Sequence, residues 1–396
     1  MKSILSNVFK FLSSMRLTMV CLSAAMILVF AGTLAQVQLG IQIVQEHYFQ
    51  SIFVWWPFAS EDGFRIPVFP GGHLIGALLL VNLILAHIRH FGLSTRKLGS
   101  QLTHVGIIIM LAGGVMTDLL SVESHMRLDE GQTKNYSEEY GAMELAVIDV
   151  SSPETDLVTA IPADKLRNGK LIAHQSLPFT IMVKESYKNS SVKMLNPSNA
   201  GEKPAASQGV GKSVSVSSQP RTTKPDERNM VSAIIEIIPA PEAGSTAPAS
   251  LGTWLVSDGL VAPQAIESAG RTWTVAMRPR RHYKDFSLTL HDFVHERYPG
   301  TQIPMNFSSK VTLSDPNKTT DREALIYMNH PLRYGGETFY QSGFDRNEET
   351  SILQVVRNPS VATPYIACAV VSAGLLLQFS IHLIGFARRN KETPLT

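Results

Sequence analysis

Four long apolar stretches constrain this chain more than any other feature. Residues 17–37, 73–91, 102–122 and 361–386 are each long enough to cross a bilayer core, which needs about 20 apolar residues. Composition agrees with that reading. The 396 residues are 44% hydrophobic and only 17% charged, against roughly 25% charged for an ordinary soluble domain. The apolar residues are concentrated in the stretches rather than spread along the chain.

The flanks of the stretches predict an orientation. Lys2, Lys10 and Arg16 precede the first, Arg89, Arg96 and Lys97 join the second to the third, and Arg388, Arg389 and Lys391 follow the last. The first loop carries Arg65 against Glu46, Glu61 and Asp62. The positive-inside rule then puts both termini and the short middle loop in the cytoplasm. The expected organisation is a membrane region over 1–122, an extracytoplasmic domain over 123–360, and a fourth span with a cytoplasmic tail over 361–396. A cleaved signal peptide is the alternative for the first stretch, since Thr33-Leu34-Ala35 precedes Gln36. Its length favours retention as an anchor.

The outer segment reads as strands. Residues 143–150, 179–187, 231–239, 273–278, 286–293, 310–313 and 352–356 are rich in Val, Ile, Thr and aromatics, and Pro, Gly, Asn or Asp bounds them. The fold class expected is a polytopic α-helical membrane protein with four transmembrane helices and a large, mostly-β extracytoplasmic domain, a sandwich or an open barrel. Ser, Pro, Gly, Lys and Asn dominate 189–229, which predicts a flexible loop there, one that tolerates trimming of 203–224. Residues 239–250 read as a second, shorter loop.

Several functions are excluded by what the sequence lacks. Net charge is +2, so no basic field points to nucleic acid. The two cysteines, Cys21 and Cys368, are far apart in apolar runs, which excludes a disulfide-stapled fold, a Cys-rich zinc module and a CxxC pair. No C-x-x-C-H occurs for covalent haem, and no Walker A, G-x-G-x-x-G or G-x-S-x-G signature is present.

The candidate chemistry lies with histidines in or at the rim of the spans, where polar groups are costly and face a partner, a cavity or a cofactor. By the orientation above, His87, His90, His104 and His382 fall in the cytoplasmic half, and His73 marks the outer mouth of the second span. An imidazole from each of two helices makes a bis-His haem site. His90 adjoins Arg89 and reads as an interfacial residue. His87 and His382 are open between a ligand role and a bond to a neighbouring carbonyl, as is His104 from physics alone. His291 and His295 are spaced i, i+4 on a predicted strand with no intervening Glu, which reads as a solvated face. Trp55-Trp56 suits an interfacial aromatic belt.

Several motifs, in order and on this topology, resemble the ResB-like (CcsB) family of System II cytochrome c biogenesis. They are Ser14-Met15-Arg16-Leu17-Thr18 and Gly32-Thr33-Leu34-Ala35-Gln36 in the first span, and Thr103-His104-Val105-Gly106 through Gly113-Gly114 in the third. Asp129-Glu130-Gly131-Gln132-Thr133 follows, then Met328-Asn329-His330-Pro331-Leu332-Arg333-Tyr334 with Thr338-Phe339-Tyr340-Gln341, and Leu353 through Pro359 before the last span.

The resemblance implies a subunit of the cytochrome c synthase in the inner (cytoplasmic) membrane. Its partner would be a CcsA/ResC-type membrane protein, its cargo haem b, and its client apocytochrome c. The family's intramembrane ligand falls on His104, and the second axial ligand would come from the partner. The tryptophan-rich haem-handling motif of the CcsA half is absent, so the resemblance implies a non-catalytic or co-catalytic subunit rather than an independent enzyme. His330 through Tyr334 and Phe339-Tyr340-Gln341 read as a hairpin that sets sheet register. Two other readings stand beside this one: a membrane-anchored scaffold with a protein-binding β-domain and no cofactor, and a b-type haem electron-transfer subunit using His47 with His73 outside and His87 with His104 or His382 inside.

The charge asymmetry generates a topology test. Cysteines introduced at Ser245 and Thr393 are expected to react with an impermeant maleimide from opposite sides of intact membranes; reaction of both from one side contradicts the assignment.

Overall fold

The computed structural model describes the chain except for residues 1, 57–64, 93, 95, 153, 196–202, 222–227, 241–249, 302–303, 319–320, 346–349 and 393–396. It divides into two compact units. One comprises Met1–Ser121 and Asn358–Thr396, with Thr223–Asp226 lying outside the described residues; the other comprises Val122–Thr222 and Glu227–Arg357.

The first unit is helical. α1 (Lys2–Leu12) is followed by α2 (Met15–Leu39), the short α3 (Ile41–Val44) and a π-turn over Gln45–Phe49. A two-stranded ribbon, β1 (Phe53–Trp56) and β2 (Ile66–Pro70), leads to α4 (Gly72–His90), α5 (Leu98–Leu120) and, after the β-rich unit, α6 (Thr363–Glu392). Met15–Leu39, Gly72–His90, Leu98–Leu120 and Thr363–Arg388 are each long and apolar enough to cross a membrane. The expected third span is shifted: α5 starts at Leu98 rather than 102 and ends at Leu120, and Val122 already belongs to a strand. The sequence reading began the span at its first continuous apolar run and so missed the polar first turn.

Asn82 is the polar centre of the α1–α2–α4 junction. It is 1% exposed in the middle of an apolar helix. Its Nδ2 donates to the carbonyls of Leu12 (2.6 Å) and Ser14 (3.1 Å), and Thr18 Oγ1 donates to its Oδ1 at 2.6 Å. The Leu12 carbonyl is one that the helix break at Ser13-Ser14 leaves open, and the Ser14 carbonyl also accepts the Thr18 N–H at 3.4 Å. Ser14 caps α2 by accepting from the Leu17 N–H, and Arg89 Nη1 donates to Ser13 Oγ at 3.0 Å. Cys21, Leu28, Val54 and Ile75 form the apolar cluster beside this junction.

α5 and α6 pack through glycine. Gly99, Gly106 and Gly113, seven residues apart, are all buried on α5. A spacing of seven keeps one face toward a partner helix, and small residues let the backbones approach. A Cβ at Gly106 would lie 2.5 Å from Val371 Cγ2 and 3.0 Å from the Ala367 carbonyl oxygen; one at Gly374 of α6 would lie 2.7 Å from the Thr103 nitrogen. Polar side chains close the seam at both ends. Thr117 Oγ1 meets Ser360 Oγ at 2.7 Å, and the Ser100 N–H donates to Gln378 Oε1 at 3.1 Å.

The second unit is built from strands β3 (Val122–Asp129), β4 (Thr133–Asp149), β5 (Leu157–Pro162), β6 (Leu171–Ile172), β7 (Phe179–Tyr187), β8 (Ser190–Met194), β9 (Val214–Ser218), β10 (Ser232–Pro239) and β11 (Thr253–Ser257). It continues with β12 (Gln264–Ser268), β13 (Arg271–Arg297), β14 (Pro304–Ser314), β15 (Arg322–Tyr327), β16 (Leu332–Tyr334), β17 (Glu337–Phe344) and β18 (Thr350–Arg357). Eight strands follow the order β15-β14-β13-β4-β3-β18-β17-β16, with β12 joined to β13 and β5 to β4; a second sheet runs β11-β10-β7-β6.

Both expected architectures are present. At one end, Leu145, Val147, Trp273 and Val275 of the large sheet face Ile181, Val183, Ile235 and Ile237 of the small one, a sandwich core. At the other, the large sheet curls until β15 lies beside β17, nearly closing a barrel around Leu128, Leu290, Val311, Ile326, Phe339 and Leu353. β13 supplies side chains to both cores, while β4, paired along it, supplies Met143, Leu145 and Val147 to the sandwich core. The runs 273–278 and 286–293, read separately because Pro279 interrupts them, are one 27-residue strand with register shifts after Pro279 and after Tyr283. Pro is tolerated where the ladder is already broken.

The expected loop 189–229 is corrected. Its described residues include the hairpin β8–β9 and a 3₁₀ turn at Gly209–Lys212. Ala206 and Val214 are buried with Ile234 and Leu255. Composition concealed this because β8 and β9 are Ser-rich and only a few apolar residues per strand face the core. The 196–202 and 222–227 parts of that stretch, and 241–249 of the second loop, lie outside the described residues.

Two outcomes are expected. Gly106→Ala should destabilise the helical unit by about 1–3 kcal/mol through overpacking, whereas Gly114→Ala, with no atom within 4 Å of its Cβ, should be neutral or stabilise by up to about 1 kcal/mol through helix propensity; thermal unfolding in detergent distinguishes them. Deleting 203–224 should lower the unfolding midpoint of the β-rich unit and raise its protease sensitivity, because Ala206 and Val214 leave the core with it.

Candidate functional site

α4 carries a histidine in its last turn and α5 one in its second turn, and the two rings lie near each other. His87, in the last turn of α4, and His104, in the second turn of α5, have ring centroids 6.4 Å apart at 52°. Phe91 meets the His87 ring edge-on at 5.8 Å. His104 is exposed in this chain.

Hydrogen bonds settle which nitrogen of each ring is available. His104 Nδ1 lies 2.8 Å from the Ser100 carbonyl oxygen. A carbonyl only accepts, so Nδ1 carries the proton and Nε2 keeps its lone pair. A metal-ligating histidine is commonly held this way, through its other nitrogen. His382 is held differently. Gln378 accepts from the Ser100 N–H through Oε1, so its amide nitrogen faces His382 Nε2, 2.7 Å away, and donates to it. The His382 Nε2 lone pair is therefore occupied. Ser100 is the common anchor of the cluster: its N–H, one of the donors that a helix start leaves open, fixes Gln378, and its carbonyl fixes His104.

The other expected residues go elsewhere. His73 Nε2 lies 3.0 Å from Asp118 Oδ2, joining the start of α4 to the end of α5. His90 is exposed. Trp55 and Trp56 are exposed on β1, with the Phe53 ring edge-on to Trp55. His291 meets Thr312 Oγ1 at 2.7 Å, while the His295 ring packs on Phe344 at 4.3 Å. No group of three metal-binding side chains occurs among the described residues.

The late motif lies in the turn before β16 and in the hairpin that β16 begins. β16 and β17 form a hairpin in which Tyr334 pairs with Glu337 across Gly335-Gly336, at φ 59° and 77°. Positive φ at both loop positions is what a two-residue turn requires. Phe339 is fully buried, and Asn329, at φ 61°, turns the chain so that His330 stacks on Tyr327 at 4.6 Å. The 129–133 turn is tied down in the same way. Thr350 Oγ1 donates to Asp129 at 2.7 Å, and Glu130 accepts the Phe293 N–H at 2.8 Å.

One charged constellation was not read from the sequence. Where β4 and β13 pass between the two cores, Arg278 pairs with Glu144 (3.0 Å), Arg281 with Glu138 (3.0 Å), and Arg280 and His282 with Glu139 (3.5 and 3.0 Å). Arg281 stacks on Tyr136 at 4.1 Å, and burial pushes the Tyr136 phenol up. The signal was available in the run Arg278-Pro-Arg-Arg-His282 set against Glu138-Glu139, but only register pairs them.

The architecture defines a polytopic helical membrane protein with a mostly-β domain inserted before its last span. Residues 252–352, covering β11 through the start of β18, match the ResB-like family. The resemblance read from the sequence is shown over that segment. Protein NrfI of Wolinella succinogenes is 36% identical over 102 residues, 26% of this chain and 11% of that protein. Cytochrome c biogenesis protein CcsB of a Synechococcus species is 37% identical over 78 residues, 20% of this chain and 17% of that protein. The match thus spans less than a fifth of either curated relative.

Proposed function

We propose that this chain serves cytochrome c biogenesis as a ResB-type subunit, holding haem in its membrane helices for delivery to apocytochrome c. The observation that carries the reading is the His104 imidazole, whose Nδ1–H is bonded to the Ser100 carbonyl and whose Nε2 lone pair lies open beside His87. The name of the CcsB relative and the ResB-like segment support the pathway.

The residues fit a haem iron. His104 supplies a neutral imidazole of fixed tautomer, as an axial ligand must. His87 is the weaker candidate on the same face, and His382 a weaker one still because Gln378 holds its Nε2. When bound, haem supplies the vinyl groups that become thioether links in a c-type cytochrome. The chain's own residues position: Ser100 orients His104, Gln378 secures Ser100 to α6, and the glycine seam fixes α5 against α6.

His104 is exposed within this chain, which leaves room for a CcsA/ResC-type membrane partner to bring the second axial ligand. The charge asymmetry of the flanks supports cytoplasmic termini in the inner membrane, with the β-rich unit outside. An electron-transfer role is less well supported, because His73 turns to Asp118.

His104→Gly, purified with its partner, is expected to lose bound haem about tenfold or more and to lose cytochrome c maturation in the same proportion. Added imidazole should restore both by filling the vacated position. His90→Ala should resemble wild type. Full haem loading and maturation by His104→Gly without imidazole contradicts the ligand assignment.

A further inference from the structure

Beside the charge ladder of the β-rich unit stands an arginine that no carboxylate matches among the described residues. Arg278, Arg280, Arg281 and His282 are matched by Glu144, Glu139 and Glu138, and Lys284, its side chain 2% exposed, is matched by Glu337 at 2.7 Å. Arg357, the last residue of β18, has no carboxylate partner among the described residues and is exposed. It opens onto a cavity of about 270 Å³ that Val122, Ser124, Arg281, His282, Tyr283, Glu337 and Val355 complete.

The cavity has a defined construction. Val122 pairs with Arg357 and Ser124 with Val355 in the β3–β18 ladder, so the four side chains share one sheet face. Ser124 is anchored by donating to Ser137 Oγ at 2.8 Å. Glu337 is paired with the buried Lys284 and Arg281 with Glu138, and neither glutamate pairs with Arg357. What remains is a polar recess with a surplus guanidinium at its lip. An Arg in such a place recognises a planar or tetrahedral oxyanion with paired N–H donors.

We infer that this recess binds an oxyanion group, a carboxylate or phosphate, with Arg357 as its principal ligand. Two sources carry that chemistry: a soluble anion, or the phosphate of a lipid. The second follows from the chain path, since Val122 comes two residues after the end of α5 and Arg357 six before the start of α6.

The test uses the full chain carrying Trp55→Phe and Trp56→Phe, with thermal unfolding followed by emission from the remaining Trp254 and Trp273. Inorganic phosphate or succinate should raise the midpoint above that in chloride of equal ionic strength. Arg357→Gln should require about tenfold more anion for the same rise, as expected for loss of a charged hydrogen bond, while Arg322→Gln on β15 should respond as wild type. Nanodiscs of phosphatidylglycerol compared with phosphatidylcholine separate the sources. An Arg357-dependent rise in the former identifies a lipid phosphate, and a rise with the soluble anions alone identifies a small ligand. A rise that chloride reproduces, or no difference between wild type and Arg357→Gln in any medium, overturns the proposal.

Discussion

The close approach of α5 and α6 is the contact on which the helical unit depends. Lipid tails are as apolar as leucine, so burial gives these helices little reason to associate. Contact must come from dispersion at short range and from a few polar bonds. Glycine at 99, 106 and 113 provides the first, and Ser100–Gln378 and Thr117–Ser360 provide the second. The same contact fixes the histidine cluster. If α6 moved away, Ser100 would lose Gln378, while His104 would keep its own-helix carbonyl and His382 would keep Gln378, four residues before it on α6. His104 and His382 are thus each held from within their own helix, and what depends on packing is the orientation of the Gln378 amide, which the Ser100 N–H sets.

The two long strands set the character of the β-rich unit. β13 is shared by a sandwich core and a curled-sheet core with β4 paired beside it, and between the two cores their side chains cannot all be apolar. Gly141, at φ 83°, and the irregular register after Pro279 mark the change. The ladder of Arg278, Arg280 and Arg281 with Glu144, Glu139 and Glu138 occupies that interval. Partly buried ion pairs of this kind contribute little net stability, because desolvation offsets attraction, but a slip of one residue would leave charges unpaired. Their structural effect is to hold β4 and β13 in one register through the break.

What the sequence disclosed follows from the range of the forces involved. The spans were legible because twenty apolar residues in a row carry their own signal, and strands such as 179–187 because alternation is local. The β8–β9 hairpin was not, since a Ser-rich strand becomes a strand only by pairing. Asn82 was passed over as one polar residue in an apolar helix, yet three hydrogen bonds converge on it. His104 was legible as a polar group at membrane depth, and the motif around it suggested a role. Its tautomer, and the difference between it and His382, were not, because they rest on a backbone carbonyl and on Gln378.

Val122 and Arg357, the first and last residues of the β-rich unit, are register partners on adjacent strands. Strands in a sheet lie roughly 5 Å apart, so the unit begins and ends at nearly one point. An insertion with such ends places no demand on the separation of its hosts. The helical hairpin of α5 and α6 could be closed by a short linker, and the β-rich unit could be lifted out with its termini already paired. That is the geometry of a cassette: either part can lengthen, diverge or be exchanged in evolution while the other keeps its own packing.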